Sequence, residues 1–137
     1  MKSNLILNKE YKAWLAELKL RVRKAQLKAA VKVNTEMLLF YWELGADIAA
    51  KQARTKWGDG FLLQLSKDLM SEFPDMQGFS ERNLKYIRQW YLFYSKDKAF
   101  GQQAVAQITQ TPWGHNIAII SKCKNIKEAM FYVQNTL

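Results

Sequence analysis

Cysteine, proline, glycine and histidine are all scarce in this chain, and each shortage removes a class of protein. One cysteine, Cys123, among 137 residues can form neither an internal disulfide nor a multi-thiolate metal site, and it fits a reducing compartment. Two prolines and six glycines exclude a collagen-like or proline-rich disordered chain. A single histidine, His115, leaves no His-x-His or His-Glu-x-x-His spacing, and there is no Cys-x-x-Cys. No run nears the roughly 18 consecutive apolar residues of a membrane span, and Met1-Lys2-Ser3-Asn4 does not open a secretory signal. The expected location is the cytoplasm, with no membrane association.

Catalytic patterns are missing in the same way. Gly58-Asp59-Gly60 lacks the Lys-Ser/Thr and the strand–helix setting of a phosphate loop. The Glu-x-Lys strings Glu10-Tyr11-Lys12 and Glu17-Leu18-Lys19 lie in a helical stretch with no strand carboxylate to share a Mg²⁺, so they read as surface pairs. No catalytic residue, cofactor, metal or small-molecule substrate is expected.

What is present is a core and an excess of positive charge. A hydrophobic content of 49% with 13% aromatics suits one folded domain over residues 1–137 and is too high for disorder. Lys and Arg number 21 against 12 Asp and Glu, a net +9, which suits an anionic partner such as nucleic acid or a membrane surface without choosing between them. The excess is uneven: residues 1–56 carry +7, residues 57–95 carry −1 and residues 96–137 carry +3. Between Lys19 and Lys32 stand six basic residues and no acid. On a helix, Arg21, Lys24, Lys28 and Lys32 fall on one side, beside the apolar line Leu15, Leu18, Val22, Ala25, Ala29 and Val33. Such a stripe either anchors phosphates or is simply a solvated helix face.

All the strong periodicities are helical. From Asn8, a candidate N-cap, to about Arg54, apolar residues recur in steps of three and four. The pattern fits one helix of about 45 residues or two collinear helices meeting near Val33-Asn34-Thr35. A rod of that length outruns the core of a small domain, so its free half is expected to pack on a second copy in a homodimer. Lys56 to Gly60 ends the rod. Leu62, Leu65, Leu69 and Phe73 mark a short helix closed by Pro74, and Ser80 is a good N-cap for the next, with Glu81 favourable at its positive end. In that second helix Leu84, Ile87, Tyr91 and Tyr94 share a face with Trp90 alongside. The Gln-rich stretch from Gln102 to Gln110 is weakly helical or a loop. Ile117-Ala118-Ile119-Ile120 is a helix or strand, with helix favoured by context, and Asn125–Leu137 is a last helix without a C-cap, which reads as cut rather than finished. The fold class is therefore all-α: a long N-terminal helix, a helix-turn-helix-like pair, then C-terminal helices.

The pair 61–73 and 80–95 has the layout of a helix-turn-helix with a turn longer than the usual three or four residues. In that reading the second helix lies in the major groove of duplex DNA, and Arg82, Asn83, Lys85, Tyr86 and Gln89 reach it. Arg forks onto guanine, and Asn or Gln onto adenine. Arg21, Lys24, Lys28 and Lys32 would hold phosphates. The simpler alternative is two packed helices with no ligand. Trp42, Trp57, Trp90 and Trp113 invite base stacking, but core packing is their commoner use. His115 is expected to cap the following helix or bond a carbonyl, with phosphate contact as a lesser alternative.

Several strings, taken in order, resemble a known family: Val33-Asn34-Thr35-Glu36, Tyr41-Trp42-Glu43-Leu44-Gly45, Trp57-Gly58-Asp59-Gly60, Leu65-Ser66-Lys67-Asp68-Leu69, Phe73-Pro74, Gly78-Phe79-Ser80-Glu81-Arg82-Asn83-Leu84 and Trp113-Gly114-His115-Asn116. Over roughly residues 10–135 the chain is similar to the N-terminal domain of the YhcG-like family. The resemblance implies a bacterial DNA-handling protein in which a C-terminal PD-(D/E)xK nuclease domain follows a helical domain that binds DNA or mediates assembly. That nuclease domain is not among these residues. The competing expectation is a protein–protein module in which the long helix dimerises and nucleic acid is not touched.

Overall fold

In a computed structural model, the structure describes residues 9–58, 60–97 and 102–136, with the side chains of 27–33, 102–103 and 136 outside that description. Asn8, Asp59 and the side chains of Lys28 and Lys32 therefore lie outside the described residues. Six stretches of helix follow in order: α1 (Lys9–Arg54), α2 (Gly60–Glu72), α3 (Glu81–Ser95), α4 (Gln102–Gln110), α5 (Trp113–Lys122) and α6 (Ile126–Thr136). There is no strand among the described residues, so the chain is all-α.

The first stretch is helical over 46 residues, yet it is not a rod. Arg54 bonds Glu10 at 3.0 Å, Lys51 pairs with the same carboxylate at 3.7 Å, and the Trp14 indole donates to Asp47 at 3.1 Å. A straight helix would hold residues 10 and 54 about 66 Å apart at 1.5 Å per residue. The backbone therefore doubles back within α1. The paired residues are symmetric about a point near residue 31, so the two arms form an antiparallel hairpin. Periodicity misses this because residues 26–34 contain no glycine or proline and keep a helical pattern through the reversal. One consequence is direct: Tyr11, Trp14, Leu18 and Val22 of the first arm and Leu38, Leu44 and Ile48 of the second are buried within the chain itself. The expected homodimer rested on an uncovered half-rod, and no such half-rod exists.

The helix α3 packs mostly on α1, and also contacts α2 and α5. Gly45 sets the closeness of the α1–α3 crossing. A Cβ there would stand 2.7 Å from the Tyr91 Cβ and 2.9 Å from the Ile87 carbonyl oxygen, so only glycine lets the two backbones approach this far. Leu84, Ile87, Trp90 and Tyr94 fill the interior side of α3. The aromatic residues knit the layers together. Trp90 meets Trp42 at 5.4 Å and Trp113 at 4.9 Å, both edge to face, and Trp57 stands against Tyr11 and Phe61. Core packing, rather than base stacking, is what these rings do.

Two ambiguous stretches resolve as helix. The Gln-rich segment forms α4, and the β-branched run Ile117–Ile120 lies within α5, where Ile119 and Ile120 are buried. The last helix starts on a reciprocal cap: Glu128 N–H donates to Asn125 Oδ1 at 2.8 Å, and Glu128 Oε1 accepts from Lys124 N–H at 2.9 Å.

Candidate nucleic-acid interface

The connection between α2 and α3 is rigid for reasons written into its residues. Phe73 and Phe79 are buried, and the buried Ser66 hydroxyl donates to the Phe79 carbonyl at 2.7 Å. Ser80 accepts from the Asn83 N–H at 3.1 Å, as an N-cap should. Gly78 has φ 103°, the one positive-φ glycine among the described residues, and a Cβ there would run into the Tyr41 hydroxyl.

Asn83 ties this turn to the rest of the molecule. Its Nδ2 donates to the Gly78 carbonyl at 2.8 Å, and its Oδ1 accepts from the Trp113 indole N–H at 2.8 Å. The Tyr41 ring packs on Trp113 at 5.0 Å. Burial pushes the Tyr41 phenol above its ordinary range, and hydrogen bonding to Asn83 pulls partly the other way. Three of the quoted sequence strings thus meet at one hub, and a fourth braces the turn beside it through Ser66. Asn83, expected to read adenine, is half-buried with both ends of its carboxamide committed internally, and it is not offered to a ligand. Its placement on the first turn of α3 looked outward from sequence because the indole that claims it lies 30 residues away.

The outward face of α3 is narrow and well defined. Arg82, Lys85, Gln89, Leu92 and Lys96 are the exposed residues of Glu81–Lys96, and at 100° per residue they fall within an arc of about 80°. Arg82 lies over the Tyr86 ring at 5.7 Å, with its guanidinium 3.4 Å from the Tyr86 hydroxyl oxygen. Lys85 pairs with Glu81 one turn back at 3.6 Å. Lys96 stands over the Phe93 ring at 4.5 Å. The structure therefore brings Arg82, Lys85, Tyr86 and Gln89 together. Leu92 and Lys96 extend the same stripe, and the continued three-and-four spacing was the signal for them. Arg88 turns away from it and donates to Gln52 on α1 at 2.9 Å.

The basic stripe of α1 is different from its sequence picture. Arg21 is held by Asp47, Glu43 and Glu17, and Asp47 also accepts from Trp14. Arg23 and Lys19 both meet Glu72, and Arg23 lies against Phe73. Lys19, Arg21 and Arg23, in a window of sequence without acids, are thus matched by acids from the returning arm, from α2 and from Glu17. Lys24 is exposed and borders an open groove of about 420 Å³ that it shares with Arg21, Glu36, Leu39, Phe40 and Glu43, so the groove carries both signs of charge.

His115 is exposed on the first turn of α5. The carbonyl-bonding role expected of it belongs to its neighbour: buried Asn116 donates from Nδ2 to the carbonyls of Ile108 and Thr111, each at 2.9 Å, and so ties α4 to α5. Cys123 is buried, and burial raises its thiol above the ordinary range. Among the described residues, no His, Cys, Asp and Glu group of three or more could hold a metal ion, and no helix is long and apolar enough to cross a membrane.

The described residues thus form an all-helical domain with an exposed basic helix face. The chain matches the DUF1016 N-terminal domain over residues 17–137 and belongs to that family. It is similar to "Putative nuclease YhcG" of Escherichia coli (strain K12), with 31% identity over 99 residues that cover 66% of this chain and 26% of that protein. The chain thus spans about a quarter of that relative's length. No solved structure matches it.

Proposed function

We propose that this chain is the DNA-contacting part of a bacterial nuclease-family protein and meets duplex DNA through the exposed face of α3, with α2 and α3 serving as a helix-turn-helix-like element. The observation that carries the reading is the stripe of Arg82, Lys85 and Gln89 on a helix whose opposite side is buried, held by the Gly78–Asn83–Trp113 hub so that its position is fixed before any ligand arrives. A preformed cationic and amide surface gains charge-assisted bonds to DNA without first ordering itself. Lys24 adds a further cation on α1, and Arg21 contributes little because its charge is already matched. Phosphodiester cleavage is assigned to a PD-(D/E)xK domain outside residues 1–137, in keeping with the family resemblance. The single helical domain positions that chemistry on its substrate.

A titration of labelled duplex followed by fluorescence anisotropy, repeated at several salt concentrations, tests this. Wild type is expected to bind, and Arg82→Ala/Lys85→Ala/Gln89→Ala to lose on the order of tenfold or more in affinity. Equal affinity of the two proteins would remove α3 from the interface.

A second reading, an assembly module that does not touch DNA, is favoured by the internal pairing of the α1 cations and by Phe131 and Tyr132 on α6, which are 62% and 48% exposed with their rings in contact. No binding at low salt together with self-association in sedimentation would select it.

A further inference from the structure

Building on that reading, we infer that the α3 face contacts the sugar–phosphate backbone and not base edges, so that the domain takes duplex DNA without regard to sequence. Base readout needs side chains that project outward and present two hydrogen-bonding atoms at once. Five residues were candidates, and the structure disposes of most of them. Asn83 has both ends of its carboxamide bonded to Gly78 and Trp113. The Arg82 guanidinium is drawn along the helix toward residue 86, over the Tyr86 ring, instead of standing away from it. Lys85 is a point charge without a fork, tethered to Glu81. Tyr86 offers a single hydroxyl, already met by Arg82. Gln89 alone remains an outward group able to fork onto a base.

The same residues suit phosphates. Arg82, Lys85 and Lys96 form a line that runs about 21 Å along the helix at 1.5 Å per residue, with Gln89 and the Tyr86 hydroxyl between them as neutral donors. Arg82, over the Tyr86 ring with one N–H on the Tyr86 hydroxyl, keeps further N–H groups to donate to a phosphate oxygen. The line is embedded on both flanks: α1, α2 and α5 all pack on α3, so the helix meets DNA with one strip of its surface. One forking amide could add discrimination of about 5- to 150-fold against a wrong base, short of the roughly thousandfold and more of a sequence reader. Three cations give a slope near −2.7 in a plot of log affinity against log salt, at about 0.9 per phosphate neutralised.

The test uses the whole 137-residue chain, a random duplex pool, and several unrelated duplexes of equal length measured by anisotropy across salt. Affinities that agree within about tenfold, a slope between about −2 and −4, and a flatter slope for Arg82→Ala/Lys85→Ala/Lys96→Ala support the inference. In that series Gln89→Ala leaves the ranking of duplexes unchanged. Enrichment of one sequence on the order of a thousandfold over the pool, the range of a true sequence reader, overturns it while leaving the DNA-contact reading in place. Absence of binding to any duplex at low salt overturns that reading itself, and this inference with it. Circular dichroism of each variant confirms that the exposed substitutions leave the helices intact.

Discussion

Replacing Asn83 with alanine separates a structural hub from a ligand-reading residue. The substitution removes the donor to the Gly78 carbonyl and the acceptor for the Trp113 indole, both 2.8 Å bonds. Each orphaned group, when withdrawn from water, costs about 1–3 kcal/mol, and since both sites are only partly buried the sum is about 2–4 kcal/mol. For a chain of this size each kcal/mol moves the melting temperature by about 3–4 °C, so Asn83→Ala is expected to melt about 6–16 °C below wild type. Thermal unfolding followed by far-ultraviolet circular dichroism reads this directly. Asn83→Asp sharpens the test. Its carboxylate still accepts from Trp113 but faces the Gly78 carbonyl without a proton to donate, so the loss at neutral pH is relieved as the pH falls and the acid regains its hydrogen. A melting temperature for Asn83→Ala within about 1 °C of wild type would refute the hub, because a freely solvated amide costs almost nothing to delete. At a temperature well below melting, the same variant is expected to bind DNA more weakly than wild type through the loosened seat of α3, but to lose less than Arg82→Ala/Lys85→Ala/Gln89→Ala does.

Other consequences of the structure are open to measurement. Gly45→Ala forces α1 and α3 apart at the Tyr91 and Ile87 contact and is expected to cost about 1–3 kcal/mol in urea unfolding; an unchanged midpoint would contradict the close crossing. Spin labels at Lys12 and Ala50, in protein diluted with unlabelled chain, should report a distance set by a helix spacing of about 10 Å plus the label arms, whereas about 57 Å would mean a straight rod. Burial raises the phenols of Tyr11, Tyr41 and Tyr94 in the folded chain. Their contribution is fully present below the unfolded value near 10 and is lost as the pH rises beyond it, so the unfolding free energy read from urea titrations should fall above about pH 10, by up to about 1.4 kcal/mol per pH unit for each tyrosine, and the midpoint with it. A midpoint flat between pH 9 and about 11 would contradict their burial.

The parts of this fold that sequence makes legible are those governed by neighbours along the chain. The α2 face of Leu62, Leu65, Leu69 and Phe73, the Ser80 cap and the inward side of α3 all follow from spacing and local hydrogen bonding. What escapes is set by partners distant in sequence. The reversal inside α1 has no glycine or proline to announce it, and a joint near Val33-Asn34-Thr35 reads as collinear from sequence; the reversal is visible only once Glu10 is seen beside Arg54. The charge of Arg21 is cancelled by Asp47 from the returning arm, so a count along the chain overstates the field of the basic stripe. Asn83 and Asn116 each look like surface amides until the residues they bond, Trp113 and Ile108, are placed. Of the candidate site, Arg82, Lys85, Tyr86 and Gln89 were readable because a helix face depends on local period alone.

Amide chemical-shift mapping of the labelled chain during titration with a short duplex addresses the account most directly, since it locates the contact without altering it. The shifts are expected to concentrate on Arg82, Lys85, Tyr86, Gln89 and Lys96, with the Asn83 side-chain amide little moved. Shifts confined to the α1 arms, or none at any residue under low-salt conditions, would contradict the claim that α3 is the face this domain turns to DNA.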